Sequence, residues 1–127
     1  IIFYKKMSIY KKLQKSISEC DLDGYLELIH PDFIFLRHQF NKEVSKKEWT
    51  PTISEMFKSM GEGKLSFERA RCIYENEEIL VLHQIGIFPD NTREAILEVH
   101  TISDGKIIKT ETGATRIDRN KKSGSNS

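Results

Sequence analysis

Only two cysteines occur among the 127 residues, Cys20 and Cys72, and they form neither a disulfide framework nor a C-x-x-C pair of the kind that holds zinc or runs thiol redox chemistry. They read as reduced, semi-buried thiols. No apolar run approaches the roughly 20 residues that cross a bilayer. The apolar opening Ile1-Ile2-Phe3-Tyr4 is too short for a signal-peptide core, and its lysines follow it rather than precede it. A cytoplasmic protein with no membrane partner is the expectation, with Met7 a candidate natural start. An excess of one charge is missing too: 20 Lys and Arg face 19 Asp and Glu, a net charge of +1. Neutralising phosphates supplies most nucleic-acid affinity, so no nucleic-acid partner is expected. Lys5, Lys6, Lys11, Lys12 and Lys15 read as one solvated helix face. There is no G-x-S-x-G, no glycine-rich phosphate loop, and no base placed beside Cys20. Nucleophilic and nucleotide-dependent chemistry are thereby set aside, and no cofactor is implied.

What is present is a clear change of texture along the chain. Met7, Tyr10, Leu13 and Ile17 recur at steps of three and four, the spacing of an amphipathic helix over 5–18. A second short helix follows, N-capped by Asp21, with Leu22, Tyr25, Leu26 and Ile29 on one face and Pro31 ending it. Phe33-Ile34-Phe35-Leu36 then reads as a buried strand. Ser45-Lys46-Lys47-Glu48 has the form of a capping box ahead of Trp49, Ile53, Met56, Phe57 and Met60. Pro51 is costly inside a helix, which favours a start at Thr50 with Pro51 in the first turn. From Leu65 onward the segments 69–74, 79–88, 93–103 and 106–117 read as strands, separated by turn-forming residues. Helices first and an antiparallel meander second make an α+β class. Residues 1–117 are expected to form one domain and 118–127 a disordered polar tail.

The meander brings together the residues best suited to chemistry. If loop 89–92 joins its strands with four residues, Phe88 pairs with Arg93 and His83 lies opposite Glu98, with His100 two residues along. One face then carries Val81, His83, Ile85, Ile96, Glu98, His100 and Ile102. Two registers remain open at Asp104-Gly105. A two-residue type I′ turn sets His100 beside Lys109 and Glu98 beside Glu111, a charged surface. A three-residue loop with a bulge sets His100 beside Ile108 and Glu98 beside Thr110, an uncharged face fit to line a pocket.

Asp21-Leu22-Asp23-Gly24, His30-Pro31-Asp32-Phe33 and Asp104-Gly105-Lys106-Ile107, in this order of elements, resemble the nuclear-transport-factor-2-like superfamily, which includes ketosteroid isomerases and SnoaL-like polyketide cyclases. The resemblance covers Met7 to Ile117. It implies a cone-shaped, curved antiparallel sheet with N-terminal helices over its concave face, a cavity between them, and a homodimer through the outer sheet face. It does not imply one activity, because this fold hosts several. Against the ketosteroid isomerases, the position of the oxyanion-hole tyrosine falls on Leu13, with Tyr10 one turn earlier. The position of the general-base aspartate falls near Arg37, which cannot accept a proton. The second oxyanion-hole acid corresponds to Glu98 or, without a gap, to Leu97. Steroid isomerisation is therefore not expected.

A histidine beside a carboxylate is a competent acid–base pair, so His83, Glu98 and His100 are the candidate catalytic residues, with His83 or His100 as base. On an outer, hydrated or dimer-facing surface the same three would do nothing chemical. A metal site is not expected, for want of a third strong ligand. Tyr10, Arg37, Trp49, Phe57 and Thr110 are the candidate ligand-binding residues: Arg37 at the cavity mouth to meet an anionic group, the aromatics as wall. Two functions stay open. One is a cofactor-free isomerase, cyclase or dehydratase acting on a small hydrophobic molecule. The other is a binding or dimerisation module with a vestigial cavity.

Overall fold

In the computed structural model, residues 7–117 are described; the polar tail expected at 118–127 and the segment before Met7 lie outside the described residues. Helix α1 spans Ile9–Ser18 and starts later than its periodicity suggests, because the Ser8 side chain accepts a hydrogen bond from the Lys11 N–H and caps it there. Helix α2, Leu22–Leu28, is capped as expected by Asp21, whose carboxylate accepts from the Gly24 N–H at 3.0 Å. It ends ahead of Pro31, and strand β1, Ile29–Arg37, begins at once. A single 3-10 turn at His38–Phe40 leads to β2, Lys42–Ser45, a short strand with no alternating apolar signature.

Helix α3, Lys46–Gly61, corrects the expected start at Thr50. Both halves of the capping box form: Ser45 accepts from the Glu48 N–H and Glu48 accepts from the Ser45 N–H. Pro51 consequently sits inside the helix. The Thr50 hydroxyl donates to the Lys46 carbonyl at 2.7 Å, a bond within the first turn.

Strands β3 (Ser66–Glu75), β4 (Ile79–Ile87), β5 (Arg93–Ser103) and β6 (Lys106–Ile117) complete a curved six-stranded sheet of order β2-β1-β6-β5-β4-β3. The β1–β6 pair is parallel and the others are antiparallel. The fold class is therefore the expected α+β, with one parallel pair where the chain returns to β1. Leu13, Tyr25, Leu28, Trp49 and Phe57 bury the helices against Phe33, Leu80, Leu82, Ile102 and Ile107 of the sheet. Both cysteines are exposed rather than semi-buried.

The register of the meander differs from expectation in two places. The β4–β5 loop is five residues long, 88–92: the Phe88 N–H donates to the Thr92 carbonyl at 2.9 Å, and Asn91 takes a left-handed conformation (φ 68°). Ile87, not Phe88, therefore pairs with Arg93. His83 lies opposite Leu97, and Glu98 opposite Leu82. One residue of slip moves His83 to the outer face. At the second turn, Ser103 pairs with Lys106 around Asp104 and Gly105, both at positive φ, as a type I′ turn requires. A bulge within β6 then shifts the ladder, so that His100 pairs with Thr110 and Glu98 with Thr112. The pocket-facing outcome arises through a turn of one kind and a bulge further along.

Candidate functional site

Between the helices and the inner sheet face lies a cavity of about 520 Å³. Its walls are mostly apolar, including Leu13, Ile53, Met56, Phe57, Phe67 and Ile96, and its sheet floor carries Gln84, Glu98, His100, Thr110 and Thr112. The registers explain that floor. Phe35, Thr110, His100 and Leu80 form one transverse row across four strands; Arg37, Thr112, Glu98 and Leu82 form the next. Side chains directly opposite in neighbouring strands share a face.

Four of these residues are linked. Gln84 Nε2 donates to Glu98 Oε2 at 2.6 Å. Glu98 Oε1 lies 3.0 Å from His100 Nε2, and His100 Nδ1 lies 2.7 Å from the Thr110 hydroxyl. An ionised carboxylate only accepts, so Nε2 carries the ring proton and donates to Glu98. In the neutral imidazole, Nδ1 then accepts from the Thr110 O–H. His100 and Thr110 are buried, 3% and 4% exposed, whereas the Glu98 side chain keeps 14% exposure toward the cavity. Glu98 is the most exposed of the four.

A second arrangement faces it from the helices. Trp49 Nε1 donates to the Tyr25 hydroxyl at 2.8 Å, and the Trp49 ring stacks on Phe35 at 4.0 Å between centroids and 8° between planes. The Tyr25 oxygen accepts from Trp49, so its own proton is uncommitted among the described residues. Burial is the main cause that raises the Tyr25 pKa far above the ordinary phenol range; the Trp49 bond opposes this and the nearby Glu98 charge adds to it. Tyr25 is thus a neutral O–H donor in the cavity wall.

The structure sorts the expected site residues into those it gathers and those it does not. Glu98, His100, Thr110, Trp49, Phe57 and Arg37 all line the cavity. His83 does not: its neighbours across the ladders are Leu97 and Arg71 on the outer face. The expected His83–Glu98 pairing is thereby corrected. Tyr10 does not line the cavity either; its hydroxyl accepts from Gln14 and its N–H donates to Glu75. The tyrosine in the wall is Tyr25. Its sequence signal was its place on the apolar face of α2, where a phenol needs a partner for its hydroxyl. Gln84 was also missed, for the same register slip that misplaced His83. Among the described residues no group of three or more His, Cys, Asp or Glu side chains is arranged to hold a metal ion, and no helix is long and apolar enough to cross a membrane.

No family model and no curated protein matches the sequence. Solved structures do match its shape. An NTF2-like protein of unknown function from Cytophaga hutchinsonii superposes with a TM-score of 0.69 at 7% identity, over 89% of this chain and 95% of that one. A SnoaL-like protein of unknown function from Burkholderia thailandensis gives 0.65 at 16% identity, over 82% and 88%. IdmH, a candidate polyketide cyclase from Streptomyces antibioticus, gives 0.63 at 13% identity, over 84% and 88%. The chain therefore has the nuclear-transport-factor-2-like fold, shared with SnoaL-like and ketosteroid-isomerase-like proteins.

Proposed function

We propose that this protein binds a small hydrophobic carbonyl compound in its cavity and moves a proton on it without a cofactor. The supporting observation is a hydrogen-bonded carboxylate, Glu98, reaching a mostly apolar cavity and backed by His100 and Thr110. In this reading the Tyr25 O–H donates to the ligand's carbonyl oxygen, stabilising the negative charge that develops when an adjacent C–H bond breaks. Glu98 accepts that proton and returns it at a second position or to the same carbon. His100 donates to Glu98 throughout and holds its orientation; buried with both nitrogens engaged, it is a positioning residue.

The test is exchange of the acidic C–H of β-tetralone in deuterium oxide, followed by proton NMR. The protein is expected to accelerate exchange, and Glu98→Gln to reduce the acceleration by about a hundredfold or more. Equal rates for the two proteins would refute the assignment. A second reading, a binding module without catalysis, is favoured by one fact: Gln84, His100 and Thr110 already satisfy the carboxylate and both ring nitrogens. It predicts ligand binding with no exchange. We further propose a homodimer through the outer sheet face, where Leu97 and Tyr74 are exposed in rows with His83 and Val81.

A further inference from the structure

We propose that the cavity selects ligands bearing a carboxylate, anchored by Arg37 at the mouth while the apolar body lies inside; this rests on reading the cavity as a ligand site. Arg37 ends β1, lines the cavity and is half-buried. Its guanidinium carbon stands 5.7 Å from the Phe35 ring centroid and 5.8 Å from that of Phe40. Those two contacts occupy none of its five N–H donors. Among the described residues no carboxylate pairs with it. Arg93 shows the contrast: there a terminal nitrogen bonds Glu68 at 2.6 Å. An arginine beside two aromatic rings and without an anion among the described residues suits a planar, bidentate acceptor from outside.

The rest of the mouth gives a ligand one orientation. Arg37, Thr112 and Glu98 share a transverse row, two strand spacings from end to end, or roughly 10 Å between the outer Cα atoms. Cation and carboxylate thus bracket the floor without contacting each other. The opposite rim, on the β4–β5 side, carries Asp90 and Glu94. Hydrogen bonds from the Thr92 hydroxyl and N–H, helped by the charge of Arg116, hold Asp90 below the usual carboxylate range, and Arg116 pairs with Glu94 across the β5–β6 ladder. Those two acids have a cation beside them, whereas Arg37 has no anion, so an anionic group is drawn to Arg37. A neutral ligand of the same shape feels no such pull.

Trp49 is the chain's sole tryptophan and lines the cavity, so its fluorescence reports occupancy. The experiment titrates the protein with cyclohexanebutyrate and with the corresponding alcohol, cyclohexanebutanol. The carboxylate is expected to bind about tenfold or more tightly, in line with a hydrogen bond between charged groups. Arg37→Gln should abolish the preference and leave the alcohol's Kd within about twofold, which also shows that the variant is folded. Arg37→Lys, which keeps the charge and loses the fork, should retain part of the preference. Equal affinity of the native protein for both probes, or a preference that survives Arg37→Gln, overturns the role of Arg37 while the cavity remains a ligand site. Binding of neither probe overturns both.

Discussion

Replacing Thr110 by valine tests the buried relay at the atom that closes it. The two side chains have nearly the same shape, so the change removes one hydroxyl and little else. His100 is 3% exposed, and its Nδ1 would face a methyl group in place of the hydroxyl now at 2.7 Å. Leaving a buried polar atom without a partner costs about 1–3 kcal/mol. The added methyl recovers up to about 0.8 kcal/mol through burial. The net loss is about 1 kcal/mol, which for a domain of this size lowers Tm by roughly 4 °C. Thermal unfolding followed by circular dichroism measures it, with Thr112→Val as control. Thr112 faces the same cavity two residues along β6 and makes no comparable bond among the described residues, so its replacement should cost less than about 0.5 kcal/mol. If Thr110→Val were as stable as Thr112→Val, the His100–Thr110 bond would carry no energy, and the account of how His100 is held would be wrong.

Tyr25→Phe strips Trp49 Nε1 of its acceptor and should cost about 1–3 kcal/mol in denaturant unfolding while shifting the Trp49 emission; an unchanged spectrum would place the indole N–H on another acceptor. Gly86→Ala should destabilise by about 1 kcal/mol or more and narrow the cavity, because its Cβ would meet the Phe88 ring at 3.1 Å and Ile96 at 3.2 Å; a gain in stability would contradict that crowding. Hydrogen bonds with Ser45 hold the Glu48 carboxyl below its ordinary value of 4.5. A lowered folded-state pKa contributes stability that is complete above that ordinary value and is lost as pH falls through the folded value. The stability difference between the native protein and Glu48→Gln should therefore shrink on acidification below it, and a difference constant with pH would refute the capping box as its source. Sedimentation should give a dimer that Leu97→Lys converts to monomer, whereas a native monomer would refute the outer-face contact.

Local chemistry announced itself in the sequence, and long-range parity did not. Asp21 and the Ser45–Glu48 capping box act within four residues, and both were visible because a cap depends on its immediate neighbours, although Pro51 drew the expected start of α3 to Thr50. The last two strands of the meander were bounded residue for residue, at Arg93–Ser103 and Lys106–Ile117, since turn residues flank them. The inner face was half right. Parity along each strand is certain, but which face of β4 joins which face of β5 depends on whether the loop holds four residues or five. Turn type at Phe88–Thr92 rests on two backbone bonds, Phe88 N–H to Thr92 and Asn91 N–H to Phe88, and on the left-handed Asn91, which composition does not announce. That single residue removed His83 from the site and brought in Gln84. Strand β2 is four residues long without alternation and had no signal to read. Tyr25 was hidden in plain periodicity: on the apolar face of a short helix, a phenol is indistinguishable from core until its hydroxyl's partner, Trp49, is known from a helix 24 residues away.

If Glu98 and His100 act as one unit facing a ligand, nitrogen-15 NMR of the His100 ring, recorded before and after adding β-tetralone, will register it. The expected result is a proton on Nε2 in the free protein and ring resonances that move when the ketone binds. A ring protonated only on Nδ1, or resonances indifferent to a ketone that Trp49 fluorescence shows to be bound, would contradict it.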